Sequence, residues 1–350
     1  MPAHDSSMLE ALGGEEGCQQ LSRAFYARVG KDPVLRRLFP GKSLRCATNE
    51  FGAFLIQFLG GDEEQTQYRW RLSLRESHDR FGISQEERSA WLKHMAATLE
   101  EVPLDAKRRE ALRQFVLQSS AYVIGKEAGE PAEEELAARW GEQRVLDRAI
   151  AAIAGGPDAG LSAGLDQEAI SLAGRFVSRP SVFVGLLARM VQSGRAELIR
   201  FAVDAVERGN TSGARRFAGR TLLHYASGAG CLELVTLLLR LGTDANIKDA
   251  GGHTPLYRVA NECGSEAGPE IVRALVRAGA DVNASAGIMR CTPLHMAARR
   301  GHTQIAKALL DCGAAIHAQD RKGEAPLQRA INCRKDAVAQ LLRERGAVIS

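Results

Sequence analysis

The sequence predicts an all-α chain made of two unlike helical parts. Three observations carry that prediction. Apolar residues in the first third recur at three- and four-residue intervals, and nowhere there do they alternate with the strand period of two. The last third repeats itself at an interval of 33 residues, with one longer step of 38. Between them the run Gly155-Gly-Pro-Asp-Ala-Gly160 breaks the helical pattern.

Composition fits this picture. A chain of 350 residues exceeds one ordinary domain. With 45% hydrophobic and 25% charged residues it reads as globular, which excludes a disordered, collagen-like or disulfide-held chain. The longest uncharged stretches, Gln114–Gly125 and Thr221–Leu232, are twelve residues long. A membrane span needs about twenty apolar residues, so no membrane association is expected. The opening Met-Pro-Ala-His-Asp-Ser-Ser lacks the basic and apolar regions of a secretory signal. Seven cysteines, an odd number without Cys-x-x-Cys spacing, point away from disulfides and zinc and toward a reducing cytoplasm. Net charge is −1 over residues 1–130, −3 over 131–160 and +8 over 161–350. Two readings of the basic half stand, arginines solvating exposed helix faces and attraction to an acidic partner, the first being the ordinary one.

The first third is read in order. Leu21, Ala24, Phe25 and Val29 share one helix face. Phe51, Phe54, Leu55, Phe58 and Leu59 share the next, and Gly60-Gly61 ends that helix. Ser84-Gln-Glu-Glu87 is a capping box opening a helix with Trp91, Leu92, Met95 and Leu99 on one side. A last helix runs from about Asp105 to Tyr122.

Particular residues along this stretch resemble those of a known family. Leu12-Gly13-Gly14, Phe25-Tyr26-Ala-Arg-Val29, Asp32-x-x-Leu35-Arg-Arg-Leu-Phe39-Pro40 and Gln57-Phe-Leu-Gly60-Gly61 come first. Leu74-Arg75-x-x-His78-x-x-Phe81-x-Ile83 and Arg88-x-x-Trp91-Leu-x-x-Met95 follow. Together, over about residues 8–125, they resemble the truncated haemoglobins, the short two-over-two helical globins of bacteria, and Trp91 points to the second of that family's three groups.

The resemblance implies a haem b whose iron is bound by His78. His4 lies near the N-terminus, and His94, three residues past Trp91, points to a different side of its helix. The resemblance also implies that Phe39 wedges against the haem and that Phe51, Phe54 and Phe81 line its pocket, where ordinary core packing is the plain alternative. Tyr26 and Trp91 would offer a phenol and an indole to a bound dioxygen. The family's variable distal position falls at Ala47, so no distal histidine or glutamine is expected there. Phe51 stands where the group more often has Leu or Gln, a departure that bears on ligand affinity. Arg69, Arg71 and Arg75 would either pair with the haem propionates or sit solvated.

The middle is helical in pattern over Pro131–Ala152, acidic at Glu133-Glu-Glu135, and then Gly-rich, which reads as a linker. Asp166–Arg179 suits another helix. The last third reads Arg-Thr-Leu-Leu-His-Tyr-Ala at 220–226 and Thr-Pro-Leu-Tyr-Arg-Val-Ala at 254–260. Thr-Pro-Leu-His-Met-Ala-Ala at 292–298 and Ala-Pro-Leu-Gln-Arg-Ala at 325–330 continue the series. Gly242, Gly279, Gly313 and Gly346 close each unit. Pro starts a helix because its φ suits the first turn and its missing N–H costs nothing there. Glycine ends one in the left-handed region. The segment Ser265–Pro269 accounts for the long step.

These units resemble ankyrin repeats, whose Thr-Pro-Leu-His-x-Ala signature recurs at about 33 residues. The resemblance implies stacked helix pairs that bury their apolar faces on one another. Phe183–Arg208 reads as a degenerate first unit, and the polar last unit as a cap. His224 and His295 are expected to bond the neighbouring turn. The expected division is therefore a globin domain at 1–130, a helical and Gly-rich linker at 131–180, and about four clear repeats plus the degenerate one at 181–350.

The functional expectation is a haem protein that reversibly binds dioxygen, nitric oxide or carbon monoxide and docks a protein through its repeats, as a gas or redox sensor. Enzymatic activity stays open. One alternative is oxidation of nitric oxide with an external reductase, since no flavin or nicotinamide motif is seen. The other is a haem-free ankyrin adaptor. Lys248, His253, Arg290, Arg321 and Lys322 fall on the repeats' turns and suit an acidic partner surface. No alternation of aromatic and basic residues suggests nucleic acid.

Overall fold

The computed structural model describes residues 7–39, 41, 43–61, 73–78, 81–125, 134–155 and 162–348, with backbone alone at 75, 162 and 163. His4, Arg69, Arg71 and the side chain of Arg75 lie outside the described residues. The chain divides into two compact units, Met1–Ala151 and Ala152–Ser350. The fold is all-α, apart from one two-stranded ribbon and an isolated bridge among the described residues.

The first unit contains α1 (Met8–Ala11), α2 (Gly14–Val29), α3 (Pro33–Arg36), α4 (Arg45–Phe58), α5 (Leu74–His78), α6 (Gln85–Glu101) and α7 (Ala106–Val123). Most of α8 (Glu134–Ala154) belongs to it as well. Helices α2 and α4 form one packed pair and α6 and α7 the other, with α2 lying against α6, which is the two-over-two arrangement. Each boundary has a local cause. Ser7 caps α1 in a capping box with Glu10. Gly13, at φ 89°, turns the chain into α2. At Gly17 a Cβ would meet the Leu12 carbonyl oxygen at 1.8 Å, so only glycine lets α1 and α2 approach this closely. Asp32 caps α3 ahead of Pro33, accepting from the N–H groups of Val34 at 2.8 Å and Leu35 at 3.0 Å. Ser84 and Glu87 form the expected capping box at α6, and Asp105 caps α7.

The core of this unit gathers Leu21, Phe25, Leu35, Ile56, Leu59, Met95, Leu99 and Phe115. Leu136 and Trp140 of α8 join it, both fully buried. Trp140 lies edge-on to Phe115 at 5.9 Å and to Tyr122 at 5.2 Å. Such aromatic pairs are worth about 0.5–1.5 kcal/mol beyond their buried area. The segment expected as a helical linker thus supplies a core helix to the first unit.

The second unit opens with α9 (Ser162–Gly174), α10 (Pro180–Gln192) and α11 (Ala196–Glu207). The ribbon β1 (Arg216–Phe217) and β2 (Arg220–Thr221) precedes α12 (Leu222–Ala229) and α13 (Leu232–Arg240). Then come α14 (Pro255–Glu262) and α15 (Gly268–Arg277), α16 (Pro293–Arg300) and α17 (Thr303–Asp311), and α18 (Pro326–Asn332) and α19 (Asp336–Glu344). Five helix pairs stack: α10, α12, α14, α16 and α18 pack in succession, and α11, α13, α15, α17 and α19 do the same beside them. The degenerate stretch at 183–208 is therefore a full helix pair. The additional residues before α15 lie between the helices of one repeat, as the spacing predicts.

Buried polar groups lock the repeats together. His224 Nδ1 accepts from the Thr221 N–H at 3.3 Å and lies 2.8 Å from Thr221 Oγ1, and its Nε2 donates to the His253 carbonyl at 3.0 Å. His295 repeats this with Thr292 and the Glu324 carbonyl. Asp249 accepts from the N–H groups of Gly251 and His253 and from Arg258, and Asp320 accepts from Lys322, Glu324 and Arg329 in the same way. The repeats alternate a histidine lock with an aspartate–arginine lock.

Candidate functional site

Six segments of the first unit bring together the residues that the sequence singled out. Tyr26 comes from α2, Phe51 and Phe54 from α4 and Trp91 from α6. His78 ends α5, while Phe39 and Phe81 lie in the connections after α3 and α5. Their rings form one connected set. Tyr26 stands 5.9 Å from Phe39 and 6.2 Å from Phe51, centroid to centroid. Phe39 reaches Phe81 at 5.7 Å, and Phe81 reaches the His78 ring at 6.5 Å. On the other side Phe51 stands 6.4 Å from Trp91 and 6.4 Å from Phe54.

The set differs from the surrounding core in burial. Phe25, Met95 and Leu99 are closed off completely, whereas Tyr26, Phe39, Phe51, His78, Phe81 and Trp91 are each only partly buried. Six large side chains thus share a half-covered, mainly apolar face in a unit only about 150 residues long. Phe54 is the exception among the expected pocket residues. It is buried and stacked between Phe51 and Phe58, which makes it a support for Phe51.

The chemistry on this face is specific. His78 Nδ1 is 2.7 Å from the Leu74 carbonyl oxygen. A carbonyl only accepts, so the proton sits on Nδ1 and the lone pair on Nε2, the nitrogen that binds a metal in this tautomer. Ser77 Oγ also donates to the Leu74 oxygen at 2.7 Å and stands 2.9 Å from Nδ1. Burial, and then the Glu50 carboxylate, push the Tyr26 phenol well above its usual range, so it remains a protonated donor at neutral pH. Among the described residues neither the Tyr26 hydroxyl nor the Trp91 indole N–H has a hydrogen-bond partner. An imidazole poised for metal, two polar donors and flat apolar rings make a donor set that fits a haem.

His94 is tied elsewhere. Its Nε2 lies 2.7 Å from Asp32 Oδ2, on the residue that caps α3, and that contact leads the causes holding the Asp32 carboxyl below its ordinary value. Ala47, at the variable distal position, lies in the first turn of α4, which starts earlier than the apolar pattern indicates, and its small side chain is partly buried.

Two features escaped the sequence reading. Phe25, given there an apolar helix place and a place in the matching motif but no part in the site, is the hub behind it, 5.2 Å from Tyr26, 5.6 Å from Phe51 and 5.3 Å from Trp91. Asp147 of α8 accepts a hydrogen bond from the Leu74 N–H at 3.0 Å, at the start of the helix that carries His78. Its signal was an aspartate set among Leu146, Ala149 and Ile150 on an otherwise apolar stretch.

On the repeats, Lys248, Arg290, Arg321 and Lys322 are exposed. His253 is not available in the same way: its Nδ1 lies 3.1 Å from Asp249 Oδ1, and its ring stands 4.3 Å from Tyr257. Its place on the turn is a packing place, because the neighbouring buried carboxylate captures the ring.

Residues 7–123 match the bacterial-like globin family, and residues 187–286 and 263–350 match ankyrin repeats in three copies. Group 2 truncated hemoglobin YjbI of Bacillus subtilis is 37% identical over 103 residues, which cover 29% of this chain and 76% of that protein. Human Ankyrin repeat and SOCS box protein 16 is 35% identical over 140 residues, covering 38% of this chain and 30% of that protein. Human SMC5-SMC6 complex localization factor protein 1 is 36% identical over 117 residues, covering 33% of this chain and 11% of that protein. The chain spans three quarters of the bacterial protein's length and less than a third of either human one.

Proposed function

We propose, from the premise that this chain belongs to the group 2 truncated haemoglobins by its N-terminal unit and carries ankyrin repeats in its second, that it is a haem b protein which reversibly binds a diatomic gas, dioxygen first, and presents its repeats to a protein partner. The observation that carries this reading is the His78 ring, held by the Leu74 carbonyl so that Nε2 bears the lone pair. When bound, a haem would supply a ferrous iron able to take a diatomic ligand.

The protein's own groups would do the rest. Tyr26 and Trp91 offer O–H and N–H donors toward a partly charged ligand. Phe51 would restrict the space beside them, and Phe39 and Phe81, in ring contact with each other, would supply apolar surface. Joining such a unit to a docking array suits sensing, in which a partner reads the ligand state. The exposed cations Lys248, Arg290, Arg321 and Lys322 suit an acidic partner surface, whose binding should weaken steeply with salt.

The test is a visible spectrum of the full chain expressed with ample haem. A Soret band near about 410 nm, a property of the cofactor, is expected in the wild type and absent in His78→Ala. A His78→Ala protein with full haem content and an unchanged spectrum would overturn the ligand assignment.

A further inference from the structure

Helix α5 has five residues, too few to hold itself by its own hydrogen bonds. Its first amide groups must be satisfied from outside, and two side chains do so. Ser73 Oγ accepts from the Glu76 N–H at 3.1 Å. Asp147 Oδ1 accepts from the Leu74 N–H at 3.0 Å, across 73 positions of sequence. The same oxygen receives the Gln143 Nε2 donor at 2.7 Å, so the carboxylate is itself oriented from one turn back along α8. Asp147 is 5% exposed and Gln143 6%, so the bonds are shielded from water. Leu74 thus has its N–H held by Asp147 and its carbonyl bonded to His78 Nδ1.

We infer that Asp147 is a positioning residue for His78: it pins the first turn of α5 and, through Leu74, fixes where the imidazole stands and how its ring is turned. The inference rests on the reading of His78 as the haem ligand. Asp147 lies beyond residues 7–123, where the globin match ends, so α8 adds this support from outside the matched segment. Outer partners of a metal-binding histidine orient it, and their loss typically weakens metal binding about 10–100-fold.

The test uses the full-length, haem-loaded chain with Asp147→Ala, Asp147→Asn and Ile150→Val, the last a core change along α8 that leaves every hydrogen bond in place. Two readouts are taken: the iron–histidine stretching band in the resonance Raman spectrum of the ferrous, ligand-free protein, and the rate of haem transfer to an apoglobin acceptor. Asp147→Ala should shift and broaden the band and speed haem release roughly tenfold. Asp147→Asn, which keeps an acceptor oxygen, should restore most of both. Ile150→Val should lower thermal stability and leave the band in place. If the band of Asp147→Ala superimposes on wild type, or Ile150→Val moves it as far, the inference is overturned. Should Asp147→Ala not fold, Gln143→Ala is read in its place. A smaller shift in the same direction then supports the inference, and an unmoved band overturns it. His78→Ala separates the two levels: loss of haem there with an unmoved band in Asp147→Ala sinks this inference alone, while haem retained in His78→Ala sinks the ligand reading beneath it.

Discussion

The first unit and the repeat array use the same side chain for opposite ends. In the array, His224 and His295 are completely buried, and both nitrogens of each contact Thr hydroxyls, backbone amides or carbonyls of the protein itself. Burial leads the causes that push His224 down to about 4, so it stays neutral and acts as a fixed polar strut. In the first unit, His78 is partly buried at the edge of a half-covered aromatic face, and one backbone bond sets its tautomer. The lesson is that a histidine's role follows from which nitrogen carries the proton and what holds it there. A strut donates from Nε2 to a carbonyl of the next turn; His78 donates from Nδ1 and keeps the lone pair on Nε2, as the proposed ligand role requires.

Exchanging the two roles gives the largest expected effect. His78→Ala should abolish stable haem binding while leaving the array's cooperative unfolding unchanged. His224→Ala should leave haem content intact and cost the array about 3 kcal/mol, because it strands the His253 carbonyl and opens a cavity. Haem titration and urea unfolding followed by circular dichroism check both. Equal loss of haem in the two variants would erase the distinction.

Next in size is the distal pair. Each hydrogen bond to a partly charged dioxygen, shielded from water, should be worth about 1–3 kcal/mol. Tyr26→Phe and Trp91→Phe should each speed dioxygen release by about tenfold to a hundredfold. Carbon monoxide carries less charge and should respond less. Stopped-flow release rates decide: equal acceleration of both gases would mean that these residues act by bulk.

Acid should weaken the array through its struts. The folded value of His224 is about 4 against 6.5 for the ordinary side chain, so as pH falls the unfolded chain takes its proton first. Stability is therefore whole above about 6.5, declines through this interval and loses up to about 3 kcal/mol from His224 by about pH 4. His295, pushed down chiefly by burial, acts in the same direction. Hydrogen exchange of the amides in α12 and α16 at pH 7 and pH 5 should show the loss. A His224→Gln variant with an undiminished slope would move its origin elsewhere.

The smallest effect is expected at Phe51. Phe51→Leu should enlarge the space beside Tyr26 and speed ligand association a few-fold, with both donors kept. Flash photolysis measures it, and a slower association would assign Phe51 a structural part.

Much of this was open to reading in the sequence because it rests on short-range rules. The capping box at Ser84 and Glu87, the helix starts at Pro255, Pro293 and Pro326, and the left-handed glycines at 242, 279, 313 and 346 each need only residues a few positions apart. The 33-residue interval then implied stacking, since a lone helix pair cannot cover its apolar side. His78 and its aromatic companions were found through spaced motifs, and the fold does connect their rings.

The sequence by itself determined the all-α class and the repeat array, because helix periodicity, capping and repeat spacing are local, while the residues around His78 were named by the resemblance to the truncated haemoglobins. Only the tertiary structure decided that Phe25 stands behind Tyr26, Phe51 and Trp91, that Trp140 carries α8 into the core of the first unit, that His253 is held by Asp249, and that Asp147 supports the turn bearing His78. The physical reason is that a buried polar group must find a partner wherever packing brings one, and which partner arrives is set by helices meeting in space rather than by their separation along the chain.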